Sequence, residues 1–326
     1  MKTDVLYAMT DDGTSLPVID VTHPSFAVSV SETELAEMTD RYLVEIAKWK
    51  QIPAPVREAI QQSVLGGALS ASSGSFLSGM HTYMMKLGPL YWGADAHPID
   101  RSIAASLPAF AARIRLQDMA SLLAGGLGRA AAANPGRPIC LINIGGGPAS
   151  DSWNALLRLR AAHPNLRPPC QITIAVLDID DHGPAFGSRA LEALRAPGAP
   201  LAGLDIGFQH FAYQWSASSR LQEILDELQA SKTVCAVSSE GSLFEYGSDS
   251  EIVANLRAIH AGCSSDAVVV GSVTRDGEAT RTTQTSRIRT LPRTIEAFQS
   301  LAEETGWRVQ EVIERPFSYN LRMGKA

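Results

Sequence analysis

The residues best suited to chemistry form a glycine loop after an apolar run. In the stretch CLINIGGGPASDSWNALLRLR, the apolar residues end at Gly145, Gly146 and Gly147, and a helical segment follows. Glycines lack a Cβ, so another molecule can approach their backbone closely, and the start of the next helix offers free N–H groups. This order is typical of a site for a nucleotide-like ligand. A tight turn with a purely structural purpose is the alternative.

An acidic residue after the next apolar run narrows the choice of ligand. Asp178 follows the apolar part of QITIAVLDID, where a carboxylate can accept hydrogen bonds from both hydroxyls of a ribose. Asp180 and Asp181 are rivals for this role, and all three acids could instead solvate the end of a strand. The loop matches G-x-G-x-x-G only in part, since Ser150 stands at the third glycine position. Ribose-bearing cofactors remain the best candidates.

The elements that must position these residues begin at Ile139, where apolar runs start to alternate with helical segments. This alternation predicts a parallel, doubly wound sheet. The predicted strands are ICLINIG, QITIAVLDID, LDIGFQHFAYQW, KTVCAVSS, DAVVVGSVT, RVQEVIE and SYNLRMG. Ligands of such sheets bind beyond the carboxyl ends of the strands, where the glycine loop and Asp178 fall. We therefore predict an α/β fold with a seven-stranded, Rossmann-like sheet.

Residues 31 to about 130 have helical periodicity instead. The first helix should begin at Ser31, which forms a capping-box pattern with Glu34 three residues later. A later helix should bend or split at Pro108, and GGLGRAAAANPGRP reads as a linker. We expect a helical region over 1–130, acting as a lid, a substrate contact or a dimerisation surface, and a cofactor-binding domain over 131–326.

Composition excludes several functions. The net charge is −6 and no dense run of Lys and Arg occurs, which argues against nucleic-acid binding. No window reaches the roughly 18 apolar residues of a membrane span, and no apolar signal core is present, so we expect a cytoplasmic protein. The four cysteines are isolated and read as reduced thiols. The seven histidines show no metal-binding spacing, so we expect no metal.

Three stretches resemble the leucine carboxyl methyltransferase family, which includes O-methyltransferases of polyketides and other small molecules. LINIGGGPASDSWNALLRL is similar to the family's first motif, and ARIRLQD to its Ala-Arg-Thr-Arg-x-x-Asp stretch. VSSEGSLFEYGSDSEIVANLRAI is similar to its Ala-Glu-Gly-x-x-x-Tyr-Leu strand exit. Together they span about Ala112 to Ile259. The resemblance implies a class I methyltransferase, in which a hairpin-like strand pair closes the sheet, with S-adenosylmethionine as cofactor and a small molecule as acceptor.

The resemblance also implies a set of cofactor contacts. Arg113 would meet the carboxylate of S-adenosylmethionine, Asp178 its ribose, and Glu240 its ammonium or the reaction pocket. Gln214 and Trp215 stand where the family has Asp-Leu beside the adenine, with which they could hydrogen-bond and stack. The full predicted set is Arg113, Asn143, Gly145, Gly146, Gly147, Asp178, Ile179, Gln214, Trp215 and Glu240.

Methyl transfer needs a general base only when the acceptor is a hydroxyl or an amine. The candidate catalytic residues are His210, Tyr213, Glu240 and Tyr246. The stretch SSGSFLSGMHTYMMKLGPLYWG reads either as ordinary helix core or as a lid over an acceptor pocket. In the second case its substrate contacts would be His81, Tyr83, Tyr91 and Trp92.

Two other functions stay open on the sequence. An NAD(P) oxidoreductase would share the sheet, but the third glycine is missing and no Tyr-x-x-x-Lys set is recognisable. A cofactor-binding protein without catalysis is the other alternative. We expect a methyltransferase, with O-methylation favoured, and allow a homodimer formed through the helical region.

Overall fold

The computed structural model describes residues 4–48, 54–72, 77–92, 96–163, 171–283 and 290–326. The strands are β1 (Tyr7–Met9), β2 (Ser15–Pro17), β3 (Ile139–Ile144), β4 (Ile172–Asp178), β5 (Ile206–Ala212), β6 (Val234–Ser239), β7 (Val268–Thr274), β8 (Trp307–Glu314) and β9 (Ser318–Lys325). The first six helices are α1 (Glu32–Lys48), α2 (Ala54–Gln62), α3 (Val64–Ala71), α4 (Gly79–Lys86), α5 (Pro98–Ala105) and α6 (Leu107–Ala133). The others are α7 (Ser150–Ala162), α8 (His182–Arg195), α9 (Ser219–Ala230), α10 (Leu243–Tyr246), α11 (Asp249–Gly262), α12 (Glu278–Thr283) and α13 (Ile295–Glu303), with a short 3-10 helix at Pro89–Tyr91.

Seven strands form one sheet in the order β5-β4-β3-β6-β7-β9-β8. Strands β3 to β7 pair in parallel, and β9 lies antiparallel between β7 and β8. All six residues of β3 and all six of β6 are buried, as their continuous apolar runs require in the middle of a parallel sheet. The predicted seven-stranded, doubly wound α/β sheet is confirmed.

Hydrophobic clusters cover both faces of the sheet. Neighbouring residues of β3 point to opposite faces, so Leu141 joins one cluster and Ile142 the other. The first cluster contains residues of α6, α7 and α8, among them Trp153. The second contains residues of α9, α11 and α13, among them Phe298. The glycine loop leaves the sheet between these two layers, at the carboxyl end of β3.

Helix α6 differs from the prediction at its C-terminal half. The split at Pro108 is confirmed, because α5 ends at Ala105 and Pro108 lies in the first turn of α6. However, α6 continues to Ala133 through the segment predicted as a linker. Alanine has the highest helix propensity, and Gly126 lets α6 approach the sheet, since a Cβ there would lie 2.5 Å from Val268 Cγ1. The small residues serve close packing here.

The N-terminal residues belong to the same core as the sheet. A hairpin of β1 and β2, which was not predicted, precedes α1. Ile19 and Tyr83 join the cluster of Trp153, so one hydrophobic core spans both predicted parts of the chain. The capping box of α1 is confirmed: the Ser31 N–H donates to Glu34 Oε2 (2.9 Å) and the Glu34 N–H to Ser31 Oγ (3.2 Å).

The structure also bears on the cysteines and on membrane and metal binding. Cys140, Cys235 and Cys263 are buried free thiols, and Cys170 lies outside the described residues. Within the ranges given above, no helix is both long and apolar enough to cross a bilayer. In the same part of the chain, no group of three or more His, Cys, Asp or Glu residues could hold a metal ion.

Candidate cofactor site at the carboxyl edge of the sheet

The glycine loop has a backbone conformation that favours glycine. Gly145 has a φ of 66° and Gly147 a φ of 56°, in the left-handed region. Gly146 has no room for a side chain, because a Cβ there would lie 2.0 Å from Asn143 Oδ1. The loop can therefore turn sharply out of β3 and expose its backbone at the edge of the sheet.

Protein segments already press on this loop from several sides. A Cβ on Gly79, in the first turn of α4, would lie 2.5 Å from Gly147 Cα, and one on Gly183 of α8 would lie 2.8 Å from the same atom. On the other side, Ser242 Oγ donates to the Gly145 carbonyl at 2.7 Å. Close packing of backbones therefore explains some of these glycines. This agrees with the alternative interpretation of the loop as a tight turn with a structural purpose.

Asp178 ties the glycine loop to the end of β4. Its Oδ2 accepts from the Gly147 N–H (2.8 Å) and its Oδ1 from the Asp180 N–H (3.0 Å). Burial raises the pKa of Asp178, and these two backbone hydrogen bonds act in the opposite direction. A carboxylate oxygen has room for a second donor, so Asp178 can still accept from a ligand hydroxyl. Beside it, Ile179 is 56% exposed and offers an apolar surface.

A buried charge cluster of Lys86, Arg115, Glu240 and Glu245 lies at the same edge. Lys86 Nζ is 2.7 Å from Glu240 Oε2, and Arg115 Nε donates to Glu240 Oε1 at 3.1 Å. Arg115 Nη1 also donates to Glu245 Oε1 at 2.8 Å. Burial by itself would raise the pKa of Glu240, but Lys86 and Arg115 bring it below its usual value. Glu240 is therefore ionised near neutral pH and is a weak base.

The structure brings Arg115, the neighbour of the predicted Arg113, to Glu240. The Arg113 guanidinium lies over the Phe110 ring, 5.0 Å from the centroid, and against Gly88. Two residues along a helix differ by about 200° in direction, so Arg113 and Arg115 face nearly opposite sides of α6. Arg115 is the arginine of this stretch that reaches Glu240. Sequence reasoning also missed Lys86, for which the one signal was a lysine among apolar residues in GMHTYMMK.

Asn143 and Asp151 form a buried polar pair under the loop. Asn143 Nδ2 donates to Asp151 Oδ1 (2.6 Å) and to Ser238 Oγ (3.2 Å), which links β3, α7 and β6. Asn143 is fully buried, so it supports the loop instead of touching a cofactor, which corrects its assignment. Asp151 Oδ2 is buried and has no hydrogen-bond partner among the residues that the structure describes. Burial and the nearby Glu240 raise the pKa of Asp151 to about 6.

Besides Glu240, two of the four candidate bases, His210 and Tyr246, keep a position near the site. His210 Nε2 lies 3.0 Å from the carbonyl oxygen of Asp178, which can only accept, so Nε2 carries the proton. The free lone pair of a neutral His210 is then on Nδ1, which lies 3.6 Å from Asp181 Oδ1. Tyr246 is adjacent to Glu245, and burial raises its pKa.

Tyr213 and Tyr83 are structural. The buried Tyr213 hydroxyl donates to Asn255 Oδ1 on α11, so it cannot act as the predicted base. The buried Tyr83 hydroxyl donates to the Pro17 carbonyl (2.7 Å) and accepts from the Ile19 N–H (2.9 Å). Both hydroxyls are used inside the protein, which corrects both assignments.

The other predicted substrate contacts differ in position. Tyr91 stacks on Phe26 with 4.7 Å between ring centroids, as part of the N-terminal packing. The buried Trp92 Nε1 has no hydrogen-bond partner within the described ranges. His81 Nδ1 lies 2.7 Å from Ser78 Oγ; burial lowers its pKa, and Asp180 acts against this shift. Among the four predicted contacts, His81 interacts electrostatically with Asp180. His81 therefore lies near the end of β4.

The residues after β5 lie beside the glycine loop. Trp215 approaches Gly145, since a Cβ on this glycine would lie 3.1 Å from Trp215 Cζ3. Gln214 is exposed to solvent. Asn255 Nδ2 donates to the Trp215 carbonyl at 2.8 Å and holds this segment in place. The structure therefore brings Trp215, the glycine loop and Asp178 to one edge of the sheet.

Comparison with known proteins finds likeness in structure only. No protein-family model matches this chain. No curated protein matches it in sequence. A possible exported protein from Bordetella parapertussis is 18% identical, with a TM-score of 0.56 over 91% of this chain and 97% of that one.

Two further solved structures are similar at lower TM-scores. LepI in complex with SAH and a substrate analogue is 18% identical, with a TM-score of 0.39 over 61% of this chain. That match spans 46% of the LepI chain, less than half its length. The mitomycin 7-O-methyltransferase MmcR is 15% identical, with a TM-score of 0.42 over 82% of this chain and 70% of that one.

Sheet order and structural likeness agree at the level of the fold. The antiparallel β9 between β7 and β8 is the arrangement of class I methyltransferases. The likeness to the Bordetella protein covers nearly all of both chains. Since no family model matches, the likeness to the leucine carboxyl methyltransferases is a resemblance of motifs. This chain therefore has the Rossmann-like fold of class I methyltransferases.

Proposed function

We propose that this protein transfers a methyl group from S-adenosylmethionine to a small-molecule acceptor, with an oxygen as the favoured methyl acceptor. The observation that carries the proposal is the arrangement at the edge of the sheet. The Asp178 carboxylate is bonded to the backbone of Gly147 and lies next to the exposed Ile179. A carboxylate for ribose hydroxyls and an apolar side chain for an adenine face are what this cofactor requires.

The described residues fit the rest of the cofactor. Trp215 is available to flank the adenine and the exposed Gln214 to hydrogen-bond its amine. The charge cluster of Lys86, Arg115, Glu240 and Glu245 suits the amino-acid tail. Two cations and two carboxylates balance in this cluster, so a zwitterion could exchange partners with it and leave no net charge buried. Bound S-adenosylmethionine would supply an electrophilic methyl group on its sulfonium.

The chain's own residues would align the acceptor and remove its proton. Alignment of the reacting atoms and exclusion of water can supply much of the acceleration in a displacement of this kind. His210 is our preferred base for a hydroxyl acceptor, because its Nε2 donates to the Asp178 carbonyl and its Nδ1 keeps a lone pair. Neutral His81 is the second candidate, since burial lowers its pKa. Glu240 is too weakly basic for this task.

Titration calorimetry with S-adenosylmethionine, S-adenosylhomocysteine and NADH tests the proposal. We expect saturable binding of the first two and none of NADH. Asp178→Asn should weaken S-adenosylhomocysteine binding about 10- to 100-fold, because hydrogen bonds to a charged group contribute about 1.5–3 kcal/mol.

The matched control is Asp181→Asn, whose side chain is 88% exposed and which should bind like the wild type. Binding of NADH alone, or an unchanged affinity in the folded Asp178→Asn variant, would contradict the proposal.

Three finer expectations belong to the same proposal. The buried free thiols Cys140, Cys235 and Cys263 support a cytoplasmic location, where thiols stay reduced. A helical region over 1–130 that contacts the acceptor is supported by α4, which rests on the glycine loop through Gly79. A homodimer through this region would appear as a doubled mass in light scattering.

A further inference from the structure

A cleft between α6 and α7 combines an apolar floor with several cations. Its volume is about 500 Å³, in the range of small-ligand sites. Small or apolar residues such as Gly125 and Leu159 form the floor. Arg129, Arg158 and His163 are also in its wall. The cleft thus offers positive charge beside a surface that an apolar group could cover.

A third arginine, Arg322 of β9, lies close to Gly125, although it is not part of the cleft wall. The Nη1 atoms of Arg322 and Arg129 lie 3.5 and 3.9 Å from the point where a Cβ of Gly125 would be. Because Gly125 has no side chain, both guanidinium groups stay next to the open space. Burial lowers the pKa of Arg322, and the neighbouring charge of Arg129 lowers it further. Like charges are therefore held together here.

These cations are incompletely paired. The Nε atoms of Arg158 and Arg322 are buried and have no hydrogen-bond partner among the described residues. Arg322 does pair with Glu311 through Nη1, at 2.9 Å. Arg129 is exposed, and no hydrogen bond or ion pair joins it to another described residue. These two Nε atoms are closed off from the cleft, so an anion there would pair with the exposed guanidinium of Arg129 and with the part of Arg158 that lines the wall.

Helix ends explain the arginines only in part. Arg129 is one turn from the end of α6 and Arg158 is near the end of α7, where cations favour the negative end of the helix dipole. The dipole does not account for the cleft between the two helices. Arg129 also follows Arg115 by fourteen residues along α6, about 21 Å at 1.5 Å per residue. The cleft is therefore separate from the glycine loop.

We propose that this cleft binds a small organic anion, whose phosphate or carboxylate group pairs with Arg129 and Arg158 and whose short apolar part lies on the floor. Both head groups present oxygens that match the planar, two-pronged guanidinium. Asp118 and Asp20 act on Arg158, and Glu311 pairs with Arg322. Arg129 is therefore the cation whose charge is least balanced, and it would attract an anion.

Calorimetry with inorganic phosphate, hexyl phosphate and hexanoate at low salt tests the proposal. We expect saturable binding of hexyl phosphate, of hexanoate or of both, tighter than that of inorganic phosphate and weaker as salt is added. The comparison of the two six-carbon probes identifies the preferred head group. Arg129→Gln should weaken binding at least tenfold. Gly125→Leu, which fills the cleft while keeping every arginine, should abolish it.

The matched control is Arg257→Gln, which changes an exposed arginine on α11 and should leave binding unchanged. Affinity for S-adenosylhomocysteine should be the same in all these variants, which separates this test from that of the proposed function. Failure of both six-carbon probes to bind the wild type would overturn the proposal. Equal binding by the wild type and the folded Gly125→Leu or Arg129→Gln variant would overturn it too.

Discussion

Asp151 lies in the first turn of α7, with one carboxylate oxygen bonded and the other without a partner among the residues that the structure describes. Asn143 and the Ser152 backbone donate to Oδ1, at 2.6 and 2.8 Å. A carboxylate in this position is desolvated and also faces the charge of Glu240, so its pKa rises from 3.8 to about 6. Protonation of Asp151 is therefore more favourable in the folded state than in the unfolded state. As a result, the free energy of unfolding depends on pH through this residue.

Asp151→Asn should change that dependence. The folded pKa of about 6 exceeds the unfolded value of 3.8, so the contribution is fully present below pH 3.8 and is lost as the pH rises through 6. One pKa unit corresponds to about 1.4 kcal/mol. We therefore expect the free energy of unfolding of the variant, relative to that of the wild type, to be about 2–3 kcal/mol higher at pH 7.5 than at pH 4.

Urea unfolding at both pH values measures this difference. Asp40→Asn is the control, since its exposed side chain on α1 should shift both curves by the same small amount. An Asp151→Asn variant whose stability differs from that of the wild type equally at pH 4 and pH 7.5 would show that Asp151 is already ionised at low pH.

Helix α4 connects the N-terminal region to the candidate site at both of its ends. Gly79 at its start touches the backbone of Gly147, and Lys86 at its end pairs with Glu240. Tyr83 between them donates to the Pro17 carbonyl at the end of β2 and accepts from the Ile19 N–H just after it. The position of α4 therefore sets the shape of the glycine loop and of the charge cluster together.

Gly79→Ala should disturb this contact. A Cβ at 2.5 Å from Gly147 Cα must move backbone, because neither partner has a flexible side chain. Overpacking of this kind costs about 1–3 kcal/mol, which exceeds the gain in helix propensity. We expect a lower melting temperature and weaker S-adenosylhomocysteine binding.

Gly207→Ala is the matched control, because the nearest atom to its Cβ would be 4.0 Å away. It should change the free energy of unfolding by much less than Gly79→Ala. Equal melting temperatures for the wild type and Gly79→Ala would mean that α4 moves at no cost.

The two ends of the chain are joined to the centre by buried polar contacts. Arg315, in the turn between β8 and β9, donates two hydrogen bonds to Asp118 of α6, at 2.7 and 2.9 Å. Asn320 of β9 donates to the same carboxylate at 2.9 Å. At the other end, Trp153 Nε1 donates to the Ile19 carbonyl at 2.9 Å. The closing hairpin and the N-terminal segment are therefore fastened to the same α6–α7 layer.

Asp118→Ala should loosen the closing hairpin. It leaves Arg315 and Asn320 without their shared acceptor, and removal of one partner of a buried pair costs about 3–5 kcal/mol. Arg315 is partly exposed, so we expect a loss of about 3 kcal/mol in the free energy of unfolding, measured in urea. Arg257→Ala breaks an exposed pair with Glu304 and should cost less than about 1 kcal/mol. A similar loss in both variants would contradict this account.

Local pattern was enough to predict the strands, the glycine loop and the capping box of α1. These features depend on residues close together in the chain, such as the apolar run that ends at Gly145 or the pair Ser31 and Glu34. The position of Asp178 at a strand end followed for the same reason. The carboxyl ends of parallel strands share an edge, so its approach to the loop could be expected.

Contacts between distant residues needed the folded chain. Lys86 and Glu240 are 154 positions apart, and nothing in either segment names the other as its partner. Whether Arg113 or Arg115 faces the sheet depends on the rotation of α6 about its axis. Packing determines this rotation, and the sequence does not reveal it because the two arginines have the same chemistry. Likewise, Tyr83 and Tyr213 have the residue type of a catalytic group, but burial and their hydrogen bonds make them structural. The periodicity that predicts a helix or strand depends on residues that are neighbours in the sequence. The partners of a side chain depend instead on how whole helices and strands pack together.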